Sequence, residues 1–319
     1  MPNNPNTWNP LCSSKFWKNT MPEKGIFNPQ NNAKLKNANK VFIRYCTGDA
    51  HMGNNASFGW EFRGQDFVTS VLNDLVQTKG FGKGPGKDTL YFGGGSAGGR
   101  GAMIHLDYVY EMLNNNDIHI NNGNMNFNND KIDIIGFLDS PLWIDIPPFS
   151  TSKFIGFNET TAGIYSYGNV THLDEDCVNK YSVTEGWKCM FGEYRMPFIK
   201  TPYFLVASQY DEFQLLENIG HKPNTNAELE YAEMFHHKTL NVVTNLKHRK
   251  NNSGIFSWAC YNHCVSINDN GYNTDTCNGI TMNDAFSTFL NNYNDVPLNE
   301  NDFWFDSCEG FNCGKGCNP

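Results

Sequence analysis

A serine lies within a glycine-rich segment, residues 93–99, that follows a predicted strand and precedes a predicted helix. The pattern GxSxG centred on Ser96 fits the nucleophile elbow of a serine hydrolase, a sharp turn that lifts the serine hydroxyl clear of the sheet. The pattern GxGxxG that begins at Gly93 fits the turn that binds a dinucleotide pyrophosphate. Both chemistries need glycine for the tight turn, so this segment alone leaves a hydrolase and a nucleotide-dependent oxidoreductase open.

A nucleophile elbow needs two partners later in the chain, an acid after one strand and a histidine after the last strand. Asp211 follows the apolar run YFLVAS, and His263 follows the apolar run GIFSWAC. This order predicts an ester hydrolase in which Ser96 attacks, His263 is the base and Asp211 orients the imidazole. The N–H of Ala97, the residue after the serine, is expected to face the oxyanion.

The dinucleotide interpretation makes a different demand, an acid about 20 residues further on at the end of a second strand. That position lies near Asp117, inside an Asn-rich stretch with no strand-like run before it. The sequence therefore favours the hydrolase, and we expect no cofactor.

Apolar segments of strand length alternate with amphipathic segments, which predicts an α/β fold with a mostly parallel sheet. The predicted strands are 41–46, 88–92, 131–138, 201–208 and 254–260. The predicted helices are 65–80, 100–113, 212–220, 226–246 and 282–293. Residues 141–200 are expected to be irregular. We expect one domain over residues 1–298 and a polar, cysteine-rich tail over residues 299–319.

The ten cysteines lack the CxxC spacing that a zinc site would need, so disulfides are the better interpretation and no metal is expected. Disulfides form in oxidising compartments, which predicts a secreted or lumenal protein. Cys177 and Cys189 are close enough along the chain to pair across a short loop. Glycosylation patterns agree with this compartment; they begin at Asn55, Asn158, Asn169 and Asn251. The first residues contain no stretch like a signal peptide, so a removed signal or an incomplete start is expected.

Composition excludes other classes of protein. A net charge of −9 and a pI near 5.4 argue against nucleic-acid binding, which needs a basic surface. No run of about 18 apolar residues occurs, so we expect no membrane span. A monomer is expected.

Six short segments together resemble the pectin acetylesterase/Notum family of serine esterases, over about residues 8–292. They are RYCTGD (44–49), FRG (62–64), GGSAGG (94–99), FLDSPLW (137–143), YDEFQL (210–215) and CYNHC (260–264). The resemblance implies an α/β-hydrolase fold with helices on both faces of the sheet, and a secreted, disulfide-bonded carboxylesterase that needs no metal.

The resemblance also implies roles and a substrate class. Carried over residue by residue, it makes Ser96 the nucleophile, Asp211 the acid and His263 the base. Plant and bacterial members remove acetyl groups from pectin, whereas the animal branch removes a fatty acyl group from a signalling protein. We expect an acetyl ester on an acylated polysaccharide or glycoconjugate, and the sequence names no residue that binds it.

The chain departs from the family in one segment. Members carry a GGGW-C segment before the strand that matches 41–46, and its backbone N–H is the second oxyanion donor. Residues 8–12 match only the end of that segment, and the family strand that leads into it would lie between 41–46 and 88–92. We therefore expect this chain to be part of a longer product. The alternative function is a catalytically impaired pseudoenzyme that binds glycan in the former cleft.

Four further residues have two interpretations each. Asp49 either caps a turn or touches substrate, and Gln214 either lies on the surface or contributes to the site. Arg100 is expected on a solvated helix face rather than opposite an acidic glycan. Trp143 either lines an acyl or sugar pocket or packs in the core.

Overall fold

The computed structural model describes residues 20, 23–114, 132–247, 253–293 and 302–317. Its strands are β1 (Asn55–Ser57), β2 (Trp60–Phe62), β3 (Asp88–Gly95), β4 (Ile132–Asp139), β5 (Tyr203–Val206), β6 (Gly254–Ser257), β7 (Thr276–Cys277), β8 (Ile280–Thr281) and β9 (Phe303–Phe305). Its α-helices are α1 (Gly64–Gln77), α2 (Ala97–Asn114), α3 (Phe157–Gly168), α4 (Glu175–Tyr181), α5 (Gly192–Arg195), α6 (Glu212–Ile219), α7 (Asn226–Lys247), α8 (Asp269–Thr274) and α9 (Met282–Asn292).

The centre of the fold is a five-stranded sheet in the order β3-β4-β5-β6-β9. All four neighbouring pairs are parallel. Consecutive parallel strands need a crossover, and helices α2, α6 and α7 lie within the crossovers between them. The sequence prediction of an α/β fold with a mostly parallel sheet is thus confirmed.

Alternating side chains of the sheet enter two separate hydrophobic clusters, one on each face. Tyr203 and Leu205 belong to a cluster with residues of α1, α2 and α7. Phe204 and Val206 belong to a second cluster that contains Phe286 and Phe289 of α9. Because β4, β5 and β6 are covered on both faces, their residues are almost all buried.

The prediction of a strand at 41–46 is wrong. These residues have no regular structure, and the side chains of Val41 and Phe42 are 48% and 50% exposed. An apolar run becomes a strand only where a neighbour offers a hydrogen-bond ladder. Within the described residues, β3 is the end strand of the sheet and pairs with β4 alone.

Residues 141–200 are more regular than expected. They contain α3, α4 and α5, and two 3₁₀ helices, Val183–Met190 and Met196–Phe198. A disulfide bond of 2.03 Å joins Cys177 of α4 to Cys189. The β1–β2 hairpin precedes α1, and residues 115–131, most of the Asn-rich stretch around Asp117, lie outside the described residues.

The last strand of the sheet, β9, lies in residues 299–319, which the sequence analysis predicts to be a polar tail. Its residues pair in parallel with β6, with Ile255 opposite Phe303 and Ser257 opposite Phe305. Two disulfides follow: Cys260–Cys317 ties this segment to the body of the fold, and Cys308–Cys313 closes a short loop within it. A boundary at residue 298 stays a prediction, but residues 302–317 are packed onto the sheet.

Two histidines meet where α2 contacts the segment after α3: His105 is buried and His172 is half-buried. The Nε2 of His105 is 2.6 Å from the carbonyl oxygen of His51, which can only accept, so Nε2 carries the proton. His105 Nδ1 then accepts from His172 Nδ1 at 3.0 Å. Burial is the main cause that lowers the pKa of both imidazoles, that of His105 to about 4.

This pair makes the fold sensitive to acid. The unfolded chain binds protons at these histidines below pH 6.5, their ordinary pKa, while the folded chain keeps them neutral down to about pH 4. We expect His105 alone to lower the free energy of unfolding by about 2 kcal/mol between pH 7.5 and pH 5. Urea unfolding of His105→Gln, whose amide can still donate to the His51 carbonyl, should show a weaker pH dependence. An unchanged dependence would contradict this account.

Candidate active site

Ser96 occupies a sharp turn between β3, which ends at Gly95, and α2, which begins at Ala97. Its backbone is left-handed, with a φ of +54°, and its N–H donates to the Asp139 carbonyl oxygen at 2.9 Å. A Cβ at Gly94 would lie 2.5 Å from the backbone of Gly98, so only glycine fits there. These features give Ser96 the geometry of a nucleophile elbow.

The structure brings the three predicted side chains together. Ser96 Oγ donates to His263 Nε2 at 2.8 Å, and His263 Nδ1 donates to Asp211 Oδ2 at 2.7 Å. Asp211 follows β5 and His263 follows β6, so the two side chains meet Ser96 at the carboxyl edge of the sheet. Two consecutive hydrogen bonds therefore link the hydroxyl to the imidazole and the imidazole to the carboxylate.

Asp211 serves the fold and the site at the same time. Its Oδ1 accepts the Gln214 N–H at 2.9 Å, which caps the start of α6 and fixes the carboxylate. Burial disfavours the protonated form of His263, but the charge and hydrogen bond of Asp211, with the charges of Asp139 and Glu212, raise the pKa of His263 above 6.5. The imidazolium formed by proton transfer is therefore stabilised.

The Ala97 N–H is one of the first N–H groups of α2, which have no partner within the helix. It adjoins Ser96 at the positive end of the helix dipole, where an oxyanion is favoured. Residues 8–12, which match the end of the other oxyanion segment of the family, lie outside the described residues.

His263 lies in a loop, residues 259–266, which we call the histidine loop. Residues 306–317 hold its start: the Ala259 N–H donates to Asp306 Oδ2 at 3.0 Å, and the Tyr261 N–H donates to Asn312 Oδ1 at 2.7 Å. The Gly314 N–H donates to the Ala259 carbonyl oxygen at 3.0 Å. With the Cys260–Cys317 bond, these contacts fix the backbone before the imidazole.

Aromatic side chains flank one side of His263. Phe213 lies 5.3 Å from the imidazole, between ring centroids, and stacks on Trp143 at 6.4 Å. Trp143 also contacts Phe157 at 4.5 Å. The exposed fraction of Trp143 and Phe213 is intermediate, whereas Phe157 is buried. We call these three residues the aromatic cluster.

Arg100 is not on a solvated face, as expected from sequence, but 2% exposed. Its guanidinium carbon lies 3.3 Å from the centroid of the Trp143 ring, and an N–H donates to the Met190 carbonyl oxygen at 3.4 Å. Burial lowers its pKa to about 9. The expectation failed because the helix starts at Ala97, which turns Arg100 towards the Trp143 side of the site.

Two other residues with open interpretations support the scaffold. Asp49 is buried and accepts N–H groups from His51, Gly53 and Gly64, so it organises the turn before α1. Gln214 is buried, not on the surface, and its amide exchanges two hydrogen bonds with the backbone of Ile144.

Sequence reasoning missed Asp139, which is fully buried at the end of β4, where it pairs with Gly95. Its position in FLDSPLW, directly after a strand, is the signal that could have identified it. In the described part of the chain, no cluster of three or more His, Cys, Asp or Glu side chains is suited to a metal ion. Nor does any described helix have the length and hydropathy to span a membrane.

Comparison with known proteins points to one family. The pectinacetylesterase family profile matches residues 5–309. The palmitoleoyl-protein carboxylesterase NOTUM of Drosophila melanogaster is 28% identical over 265 residues, which are 80% of this chain and 36% of that protein. The protein of the same name from Mus musculus is 26% identical over 330 residues, 96% of this chain and 60% of that protein.

A solved structure shares the fold. The Wnt deacylase Notum from Drosophila superposes with a TM-score of 0.80 at 24% identity, and the match covers 96% of this chain and 82% of that chain. The chain spans less than two thirds of the full length of the Drosophila and mouse proteins, 36% and 60%. The expected resemblance and the α/β-hydrolase-like fold are confirmed.

Proposed function

Because the chain belongs to the pectinacetylesterase family, we propose that it is a serine carboxylesterase with Ser96, His263 and Asp211 as its triad. The observation that carries the proposal is the unbroken chain of hydrogen bonds from the Ser96 hydroxyl through His263 to Asp211, at 2.8 and 2.7 Å. A nucleophilic serine needs this arrangement, because the base must reach the hydroxyl and the carboxylate must hold the base.

The reaction follows from the positions of these groups. His263 Nε2 takes the hydroxyl proton as Ser96 Oγ attacks the ester carbonyl carbon, and then gives that proton to the departing alcohol. His263 then takes a proton from water as the water oxygen attacks the acyl carbon; the bond from that carbon to Ser96 Oγ breaks, His263 returns the proton to Oγ, and the acid leaves. Asp211 keeps the proton on Nδ1 and stabilises the imidazolium in both steps.

The negative charge that develops on the carbonyl oxygen is stabilised by the N–H of Ala97. One such donor contributes about 10²–10³-fold to the rate. The second donor of the family, the segment that precedes 41–46, adds to it where that segment is present.

For the substrate, we favour an acetyl ester on a glycan such as pectin, in keeping with the name of the family. Phe213 lies 5.3 Å from His263 and stacks on Trp143, so this aromatic pair would limit the room for an acyl chain beside the attacked carbon. Three disulfides among the described cysteines support a secreted protein that meets such glycans outside the cell.

A second candidate is a longer acyl chain. The relatives named palmitoleoyl-protein carboxylesterases act on a fatty acyl ester by that name. The aromatic cluster would then line the side of an apolar channel for the acyl chain instead of closing its end. The two candidates differ in how the rate depends on chain length.

A series of p-nitrophenyl esters from acetate to dodecanoate tests this difference. We expect kcat/KM to be at least about tenfold higher for acetate than for dodecanoate, because an apolar pocket that is too short rejects extra methylenes by that order. Phe213→Ala should raise the dodecanoate value towards the acetate value and serves as the matched variant. A rate that rises with chain length in the unaltered protein would favour the second candidate.

The pseudoenzyme remains the non-enzymatic alternative. It predicts that the protein binds acetylated pectin without releasing acetate, and that Ser96 does not react with a fluorophosphonate. Release of acetate from acetylated pectin, dependent on Ser96, would reject it.

A further inference from the structure

Asp139 touches both halves of the site, although it is not one of the three triad residues. Its carbonyl oxygen accepts the Ser96 N–H at 2.9 Å, at the elbow. Its Oδ2 accepts the Ser266 N–H at 2.9 Å, within the histidine loop. One residue of β4 therefore joins the backbone of the nucleophile to the loop that carries the base.

Ser140 completes the connection on the other side of the carboxylate. Its hydroxyl donates to Asp139 Oδ1 at 2.9 Å and accepts the Cys264 N–H at 2.9 Å. Ser96, Ser140 and Cys264 all have left-handed backbones, with φ of 54°, 53° and 55°. Residues other than glycine adopt this backbone conformation only where surrounding contacts hold it. Asp139 bonds to Ser96 and to Ser140, and through Ser140 to Cys264.

The hydrogen bonds of the Asp139 side chain suit its ionised form. A backbone N–H can only donate, so Oδ2 of Asp139 accepts from Ser266. Ser140 Oγ accepts the Cys264 N–H and donates its own hydrogen to Oδ1 when Asp139 is ionised. Both oxygens thus act as acceptors, as in a carboxylate.

The residue is fully buried, and no Lys or Arg ion pair to it occurs among the described residues. The charged groups that face His263 in this part of the chain are Asp211 and Glu212 at the start of α6 and Asp139 at the end of β4. The Cys264 thiol also faces Asp139 and is kept neutral, since burial raises its pKa. The charge of Asp139 raises the pKa of His263, and the geometry agrees, because Cys264 and Ser266, one and three residues after His263, bond to Ser140 and to Asp139.

We propose that Asp139 is a positioning residue that holds the histidine loop in register with the elbow, and that its buried carboxylate stabilises the protonated form of His263. The proposal rests on the proposed function for its meaning in catalysis, but its two physical effects can be measured separately. Burial opposes the charge and raises the pKa of Asp139, while the hydrogen bonds from Ser266 and Ser140 favour the charge.

The test is the Asp139→Asn variant, which keeps the size of the side chain and removes its charge. The first readout is the pKa of the His263 imidazole, measured by NMR with the signal assigned through His263→Gln. We expect this pKa to fall by about one unit, the usual effect of losing one nearby opposite charge. The acid limb of the kcat/KM profile for p-nitrophenyl acetate should move by the same amount.

Two variants separate charge from position. Ser140→Ala keeps the Asp139 side chain but removes the hydrogen bonds of Ser140 to Cys264 and to Asp139 Oδ1. We expect kcat/KM to fall about tenfold at pH values above the pKa of His263, and that pKa to fall by less than in Asp139→Asn. Asp133→Asn is the matched control, since Asp133 lies on the same strand but pairs with Lys87 at 2.7 Å. It should alter neither readout.

An unchanged pKa of His263 in Asp139→Asn overturns the proposal. If that variant does not fold, the native protein still decides the question. The Asp139 carboxyl carbon, followed by ¹³C NMR, should titrate above 3.8, the ordinary value for Asp, and should shift again as His263 titrates. The proposal is overturned if the chemical shift of the Asp139 carboxyl carbon does not change as His263 titrates. If the protein hydrolyses no ester, the proposed function is rejected, but the titrations of His263 and Asp139 can still be measured and still test this proposal.

Discussion

Replacing Ser96 with alanine is expected to lower kcat for ester hydrolysis by about 10⁶-fold, the size of effect seen when a serine nucleophile is removed. The change deletes only the hydroxyl that donates to His263 at 2.8 Å. The backbone N–H that donates to the Asp139 carbonyl oxygen remains. Alanine has no greater difficulty than serine with a φ of +54°, so the fold should be kept.

The measurement combines hydrolysis of p-nitrophenyl acetate with labelling by a fluorophosphonate. The unaltered protein should be labelled at Ser96, and Ser96→Ala should not be labelled. Ser70→Ala, at an exposed serine of α1, is the matched control and should behave like the unaltered protein. Substantial activity in Ser96→Ala would show that another group is the nucleophile.

Removing the bond between Cys260 and Cys317 has the second large expected effect. The two residues are 57 apart in sequence, and a cross-link of that span stabilises a fold by about 4 kcal/mol through the restricted unfolded chain. We expect Cys260→Ser with Cys317→Ser to lose about that amount in urea unfolding. Because the bond also fixes the histidine loop, kcat should fall even where the protein stays folded.

The bond between Cys308 and Cys313 provides a matched control. Its residues are 5 apart, so the same reasoning gives a smaller loss, about 2 kcal/mol, for Cys308→Ser with Cys313→Ser. Its loop contains Asn312, but the contacts of Ala259 with Asp306 and Gly314 and the bond between Cys260 and Cys317 stay in place, so kcat of the folded protein should fall less than in the first double variant. Equal effects of the two double variants on stability and on kcat would contradict this account.

The sequence predicted those parts of the site that depend on local pattern. Ser96 is marked by a turn that needs glycine on both sides, and Asp211 and His263 each follow an apolar run that forms a buried strand. Parallel strands then bring all three to one edge of the sheet. Their catalytic roles stay predictions, while their proximity is a property of the fold.

The remaining parts depend on long-range contacts that leave no periodic pattern. Residues 41–46 are as apolar as a strand, yet they form no regular structure and do not belong to the five-stranded sheet. Strand β9 is only Phe303–Phe305 and is defined by its pairing with β6. The carboxylate of Asp306 reaches the backbone of Ala259, far away in sequence, and no spacing rule predicts such a contact.

The contacts of residues 306–317 with the start of the histidine loop have a consequence for biosynthesis. The ribosome makes residues 306–317 after Ser96, Asp211 and His263, so until these residues are made the start of the histidine loop lacks the contacts that fix it. Catalytic competence should therefore arise late, when the thiols of Cys260 and Cys317 have been oxidised together. Newly made molecules would then not hydrolyse esters in the compartment where they fold, before this disulfide has formed.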